Sequence, residues 1–376
     1  MSADERLARV ALGRLTEPGD PRVSALVEEI GAVRLHEVLA AGGDLAGLLP
    51  DVTSRMAAVQ PERDLETAAR LGIRFLIPSD EEWPRQVDDL EGAEAVHERG
   101  GAPLGLWVRG PLRLDSLDRS VAVVGSRSAT TYGADTAAEI SAVCARAGFT
   151  VVSGAAFGID QAAHRGALGG GGATVAVLAC GVDRVYPAAH RALLDHLGAT
   201  CAVVSELPPG CSPTRLRFLS RNRVIAALTR GTVVVEAAVR SGALNTANWA
   251  GRLNRQLLGV PGPVTSAPSQ GVHQLIRSGA ATLVTSGAEV LEMVGESGAF
   301  LVEEPRGATR SRDRLSTRQQ QVLDAVPLRH AAPADSIART AGVALLEVRT
   351  ALGGLSRLGL VLQVPEGWRL AERAAT

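Results

Sequence analysis

Apolar and polar positions change their rhythm twice along the chain. Up to about residue 75 the apolar residues recur at helical spacing. Leu7, Val10, Ala11 and Leu15 share one face, and Val23, Leu26, Val27 and Ile30 another, with the Gly and Pro of EPGDP (17–21) between them. This predicts a small bundle of short helices over 1–72, which plain packing or weak DNA contact would explain. From Ile73 to Val290 short apolar runs alternate with longer helical stretches. The runs are VAVVG (121–125), TVVSG (150–154), TVAVLACG (174–181), CAVVSE (201–206), TVVVEA (232–237), QLLGVPG (256–262) and TLVT (282–285). Continuous apolar runs of this length suit strands buried on both faces, and the stretches between them suit right-handed helical crossovers. The expectation is an α/β domain over 73–295 with an open, Rossmann-like, mostly parallel sheet. RFLIP (74–78) and LWVRG (106–110) would add edge strands. A polar linker follows over 296–314. In the last unit, 315–376, Ser316 can cap a first helix, Pro333 precedes a second, and LLEVRTALGGLSRLG forms a third. LVLQVPEGWRL (360–370) then reads as a hairpin, so the unit reads as a winged helix, for which DNA and protein contact are equally open.

Composition narrows the chemistry. All 39 cationic residues are arginine, which excludes a P-loop lysine and a Schiff-base lysine. The formal net charge is −1, so a nucleic-acid site must be a local patch. Cys144, Cys180, Cys201 and Cys211 form no C-x-x-C pair, and neither zinc nor a disulfide framework is expected. The start MSADERLARV has no apolar signal region and no stretch is long enough to span a bilayer, so a cytoplasmic protein without membrane contact is expected.

In an open parallel sheet, ligands sit beyond the carboxyl ends of the strands. Six successive turns there carry glycine: Gly125-Ser126-Arg127, Ser153-Gly154 with Phe157-Gly158, Cys180-Gly181, Pro208-Pro209-Gly210, Arg240-Ser241-Gly242 and Pro261-Gly262. Glycine lets backbone N–H groups approach an anion, and helix N-termini add partial positive charge. Between Leu207 and Leu258 stand eight arginines (215, 217, 221, 223, 230, 240, 252 and 255) and one acid, Glu236. A polyphosphate or nucleic acid is the natural partner of such a stretch.

The ordered strings GSR-x-x-x-x-YG, SG-x-x-x-GID-x-x-AH-x-GAL, CG-x-D-x-x-YP, SE-x-PPG, F-x-x-RNR-x-IA-x-L, VVVEA-x-x-RSG-x-L-x-TA and VPG span about 120–285. In this series the chain resembles the DprA/Smf family. The resemblance implies an extended Rossmann domain that binds single-stranded DNA, an N-terminal SAM-like module and a C-terminal winged helix. It also implies a homodimer without cofactor or metal that is not an enzyme, protects incoming DNA during natural transformation and recruits the RecA recombinase. It places Arg127 on backbone phosphate, with Gly125, Ser126, Ser153 and Gly154 as backbone or hydroxyl donors. Arg221 and Arg223 occupy the RNR motif; either could touch DNA, or one could be structural and paired with Glu236. Asn222 would fix a turn, Arg240-Ser241-Gly242 would form a second anion site, and Gly158 and Arg184 complete the expected contact set. Leu275, Ile276 and Leu283 would lie at the dimer surface or in ordinary core.

This chain departs from the family with Phe157 where Arg is common, and with His190 and His273 where Asn is common. Phe157 could stack on a base or pack inward. Tyr132 and Tyr186 would pack in turns or stack on bases. Asp160 and His164, four apart on one helix, could be an acid–base pair or serve capping and packing. The competing class is a nucleoside monophosphate phosphoribohydrolase, which uses a PGG-x-GT-x-x-E loop; VVVEAAVRSGALNTA lacks it. A dinucleotide oxidoreductase would need G-x-G-x-x-G after the first strand, also missing. Replacing Arg127 by Glu is expected to abolish binding of oligo-dT in a titration; binding equal to the unaltered protein would refute the assignment of that residue.

Overall fold

The computed structural model describes residues 2–43, 56, 58–302 and 314–371. The chain divides into two compact units, Met1–Val302 and Glu303–Thr376. Much of the expected linker, 303–313, lies outside the described residues.

The first unit opens with helices α1 (Ser2–Leu15), α2 (Pro21–Ile30), α3 (Ala32–Ala40) and α4 (Pro61–Arg70). Asp20 caps α2 by accepting from the Arg22 N–H, and Pro21 supplies the fixed φ of the first helical position. Ala8, Leu12 and Leu15 of α1 bury against Val23, Leu35 and Leu39. Of the first face read from the sequence, Leu15 joins this cluster, whereas Val10 packs with Ile73, Phe75 and Ile77, and Ala8 and Leu12 take the centre.

Among the described residues, nine strands form one sheet. They are β1 (Ile73–Leu76), β2 (Leu106–Arg109), β3 (Ser120–Val124), β4 (Thr150–Ser153), β5 (Thr174–Val177), β6 (Ala202–Ser205), β7 (Gly231–Val234), β8 (Gln256–Gly259) and β9 (Thr282–Leu283). Their order is β1-β2-β6-β5-β4-β3-β7-β8-β9. The pairs β1–β2 and β2–β6 are antiparallel, and every other pair is parallel. Between the parallel strands run α5 (Thr131–Arg146), α6 (Ile159–Gly169), α7 (Arg191–Thr200), α8 (Arg215–Ala227), α9 (Ala243–Arg252), α10 (Gln270–Arg277) and, after β9, α11 (Gly287–Val294). This is the expected α/β architecture.

Both faces of the sheet are covered from β3 to β8, which is why these strands read as unbroken apolar runs, while β9 is exposed. Val121 and Val123 pack with Ile140 and Cys144 of α5 and Ile159 and Ala163 of α6. Their alternate neighbours, Ala122 and Val124, pack with Val224 and Ile225 of α8 and Ala247 of α9. Helices α5 and α6 approach closely because two glycines lack a side chain there. A Cβ on Gly166 or Gly170 would overlap the backbone of Ala138 or Ala142.

The N-terminal helices are fastened to the Rossmann-like part by arginines. Arg14 pairs with Asp64 at 2.7 Å and donates to the Pro209 carbonyl at 2.8 Å. Arg217 of α8 pairs with Glu17 at 2.7 Å. Arg223 of α8 is fully buried; it pairs with Glu206 at 2.7 Å and donates to the Gly101 carbonyl at 3.0 Å. Residues 2–72 therefore share one compact unit with the sheet.

The second unit has α12 (Thr317–Asp324), α13 (Ala334–Ala341), α14 (Leu345–Arg357) and the antiparallel hairpin β10 (Val361–Val364) and β11 (Gly367–Leu370). Ser316 and Gln319 close a capping box at α12. Val322, Ile337, Val348, Leu352, Leu355 and Val361 form its own core. No helix among the described residues is long and apolar enough to cross a membrane.

Removing one partner of a buried ion pair costs about 3–5 kcal/mol, because the other charge is left uncompensated. Glu206→Gln is therefore expected to lower the stability of the first unit by about that amount, read as a lower urea midpoint by tryptophan fluorescence. An unchanged midpoint would show that the pair contributes nothing net.

Candidate nucleic-acid interface

The sheet order places the topological switch between β3 and β7. Strands β4 to β6 extend to one side of β3, and α8 carries the chain back to β7 on the other. The crevice at such a point is where an open α/β sheet takes its ligand. Here it is an open cleft of ≈ 1160 Å³ lined by Gly125, Ser126, Arg127, Tyr186, Arg215, Phe218, Arg221, Asn222, Arg240, Ser241, Gly242 and Asn245, among others.

Its framework is set by backbone bonds and glycines. The Ser126 N–H donates to the Glu236 carbonyl at 2.7 Å, joining the ends of β3 and β7. Gly158, at φ 77°, lies against the Ser126 and Arg127 carbonyls, where a Cβ would overlap them. Gly154 likewise clears space for a neighbour, since a Cβ there would overlap Nη1 of Arg221.

Arg221 is the central cation. It is 6% exposed, and its Nε is buried without a hydrogen-bond partner among the described residues. Burial pushes its pKa down to about 10, Asp160 opposes this, and the neighbouring Arg127 adds to it. The guanidinium therefore stays charged at neutral pH. Asp160 accepts from the backbone N–H groups of Gly154 (3.2 Å) and Ala156 (3.3 Å). Burial pushes its carboxyl upward, against Arg221 and those two donors.

An aromatic platform lies beside this cation. The Arg127 guanidinium sits 4.7 Å from the Phe218 ring centroid, and Arg221 5.8 Å from it. Tyr186, half exposed, approaches the same ring at 5.7 Å. Phe157 is 45% exposed and meets His190 edge-on at 4.7 Å. Both Phe157 and Tyr186 therefore present ring surface to solvent.

Several expected site residues are engaged elsewhere. Arg223 is committed to Glu206 and is unavailable to a ligand. Glu236, expected to pair with an arginine, instead accepts from Thr130 N at 3.0 Å and Oγ1 at 2.5 Å, fixing the start of α5. Ser153 is buried and donates its hydroxyl to Val123 O at 2.7 Å, and the Gly154 N–H is taken by Asp160. Arg184 is exposed, but it is not among the residues lining the cleft. Of the eight arginines between Leu207 and Leu258, Arg217, Arg223, Arg252 and Arg255 pair with Glu17, Glu206, Glu94 and Asp89. Acids outside the stretch thus balance half of its arginines. Arg127, Arg215, Arg221 and Arg240 line the cleft, and none is in an ion pair within 4.0 Å among the described residues.

Asp160 and His164 do not act on each other. The His164 Nδ1 is 2.7 Å from Thr174 Oγ1, which itself donates to Val151 O. The hydroxyl proton is used, so Nδ1 carries a proton, and burial, which pushes the pKa down to about 3, keeps the imidazole neutral near pH 7. Tyr132 donates to Pro261 O at 2.6 Å, and His273 bonds Gly262 O at 3.0 Å, so both tie turns together. Leu275 and Ile276 pack against the core, while Leu283 is 48% exposed on the terminal strand β9. The four cysteines are free thiols. The sequence reading did not single out Arg215, Phe218 and Asn245 as site residues. Arg215, Phe218 and Arg221 stand three apart on α8, which places them on neighbouring turns of one face and was the signal available.

A family model described as DNA recombination-mediator protein A matches residues 74–295. The chain belongs to this family. A putative DNA processing protein DprA of Mycobacterium tuberculosis is 42% identical to this DprA-family chain over 367 residues, 97% of it and 94% of that relative. The X-ray structure of DprA from Streptococcus pneumoniae superposes with a TM-score of 0.63 at 32% identity, covering 78% of this chain and 98% of that one. A DprA structure from Helicobacter pylori, described as showing a single-stranded DNA binding mode, shares the fold at a TM-score of 0.50 and 24% identity, over 58% of this chain and 94% of that one.

Burial, with smaller contributions from His190 and Arg221, pushes His164 down to about 3. Unfolded histidine titrates near 6.5, so between those values the unfolded chain takes a proton that the folded one refuses. Stability is then lost as pH falls from about 6.5, by up to about 1.4 kcal/mol per unit. His164→Asn, which keeps an N–H near the Nδ1 position, is expected to remove this component. Urea unfolding at pH 7 and pH 5 checks it, and identical pH dependence in both proteins would refute it.

Proposed function

We propose that this DprA-family chain binds single-stranded DNA along the switch-point cleft and breaks no bond in it. The observation that carries this reading is Arg221, a charged guanidinium sunk beneath the cleft, whose Nε has no hydrogen-bond partner among the described residues. A buried donor without an acceptor is costly, and an anion entering the cleft would relieve that cost. Arg127, Arg215 and Arg240 line the same cleft as further cations for successive phosphates. Phe218, Tyr186 and Phe157 offer ring faces to bases, which suits an unpaired strand and tolerates any sequence. The description of the Helicobacter pylori relative supports the same ligand.

Gly125, Ser126, Gly158, Ser241 and Gly242 then shape the strand path, and Asn222 holds α8 to the start of α9 by donating to Gly242 O at 3.3 Å. By membership of the family, the bound strand is protected and passed to the RecA recombinase in the cytoplasm during natural transformation. Pairing of two copies near β9 is supported by its position at the end of the sheet and by exposed Leu283. The helical start of the chain serves as the SAM-like module. The three helices and hairpin of the second unit serve as a winged helix.

The test is a titration of oligo-dT against duplex and against nucleoside monophosphates over a range of salt. Single strands give a slope of roughly −0.7 in log K against log salt per phosphate neutralised, so four arginines predict about −3. Arg240→Gln, at an exposed position, should shrink the slope by about 0.7. Hydrolysis of a nucleoside monophosphate, or indifference to oligo-dT, would overturn the reading.

A further inference from the structure

A second unpartnered donor lines the cleft besides Arg221. Its origin lies at Gly242, the residue before α9, whose carbonyl only accepts. Asn222 Nδ2 lies 3.3 Å from that oxygen, which fixes the orientation of the Asn222 amide. The same Nδ2 lies 3.2 Å from the Asn245 side chain, which must therefore turn its Oδ1 toward Asn222. The opposite orientation would set two NH₂ groups face to face. Asn245 is thereby compelled to direct its own Nδ2 elsewhere. That nitrogen is buried, in a residue 5% exposed, with no hydrogen-bond partner among the described residues. Asn245 and Arg221 line one cleft, and the exposed Arg240 and Gly242 stand at the same helix start. The amide lies in the first turn of α9, at the positive end of its backbone dipole.

We propose that Asn245 Nδ2 and Arg221 Nε form a donor-only subsite for a non-bridging phosphate oxygen of the bound strand. The inference rests on the single-strand reading above and adds a neutral contact to its four cations. Two buried donors that no acceptor among the described residues satisfies match an anionic oxygen. Base edges mix donors and acceptors, so they match the pair less well. Burial depresses Arg221, Asp160 offsets this, and Arg127 adds positive charge beside it that an incoming anion would also meet.

The experiment compares the unaltered full chain with Asn245→Leu and Asn245→Asp, using oligo-dT and an abasic sugar–phosphate strand as probes. Leu removes the donor and keeps the volume. Asp keeps the acceptor toward Asn222 and turns the donor into a second acceptor, so it covers the case in which the Leu variant fails to fold. Loss of one hydrogen bond to a charged acceptor is expected to weaken both probes about tenfold in Asn245→Leu. The salt slope should not change, because a neutral donor releases no counterion. Asn245→Asp should be weaker still. Unchanged affinity in a folded variant, or a loss seen with oligo-dT and not with the abasic strand, overturns the subsite. If the unaltered chain binds neither probe, the single-strand reading itself fails and takes the subsite with it.

Discussion

The cleft is organised around a guanidinium that the protein keeps charged below its own surface. Arg221 sits on the bare backbone of Gly154, with Asp160 as its counter-charge and Phe218 along one side. Each neighbour follows from that placement. Residue 154 must lack a side chain. Asp160 must be held in place, and two backbone N–H groups hold it. A charge so placed costs desolvation energy in the free protein, which an anionic ligand would offset.

The surrounding arginines divide by what they face. Those on the flank of α8 that meets the N-terminal helices are neutralised, Arg217 by Glu17 and Arg223 by Glu206. Those lining the cleft have no such partner among the described residues. One short helix therefore serves both as a structural rivet and as part of the candidate interface. The rivet is rigid where it is dry, since Arg223 is fully buried against Glu206 and further tied to the Gly101 and Ser220 carbonyls. Helix α8 thus has little freedom to rotate away from the cleft.

The sheet was legible in the sequence because strands covered on both faces carry no polar interruption: six of the seven apolar runs became largely buried strands, the seventh became the exposed two-residue β9, and the two upstream runs became the antiparallel edge. Of the six glycine turns read from the sequence, Gly125-Ser126-Arg127 and Arg240-Ser241-Gly242 line the cleft, and the glycines of the other four are not among its lining residues. Individual arginine roles were not legible, because the acids that neutralise Arg217, Arg252 and Arg255 lie more than 150 residues earlier in the chain. Phe218 among arginines reads as a core residue until the helix is built. Asn245 reads as an ordinary helical polar residue. Its significance comes from a carbonyl three residues away and an amide on another helix, a dependence that spacing alone does not reveal.

The complete absence of lysine, together with the burial of Arg221, has a consequence for how the cleft lets go. Guanidinium groups keep their proton throughout the range in which proteins stay folded, and even Arg221 titrates only at about 10. Acidification or mild alkalinity therefore leaves the positive field standing, and lysine acetylation has no side chain to silence. On the single-strand reading proposed above, release would fall to competing ions or to another macromolecule that takes the phosphates over, rather than to a chemical switch.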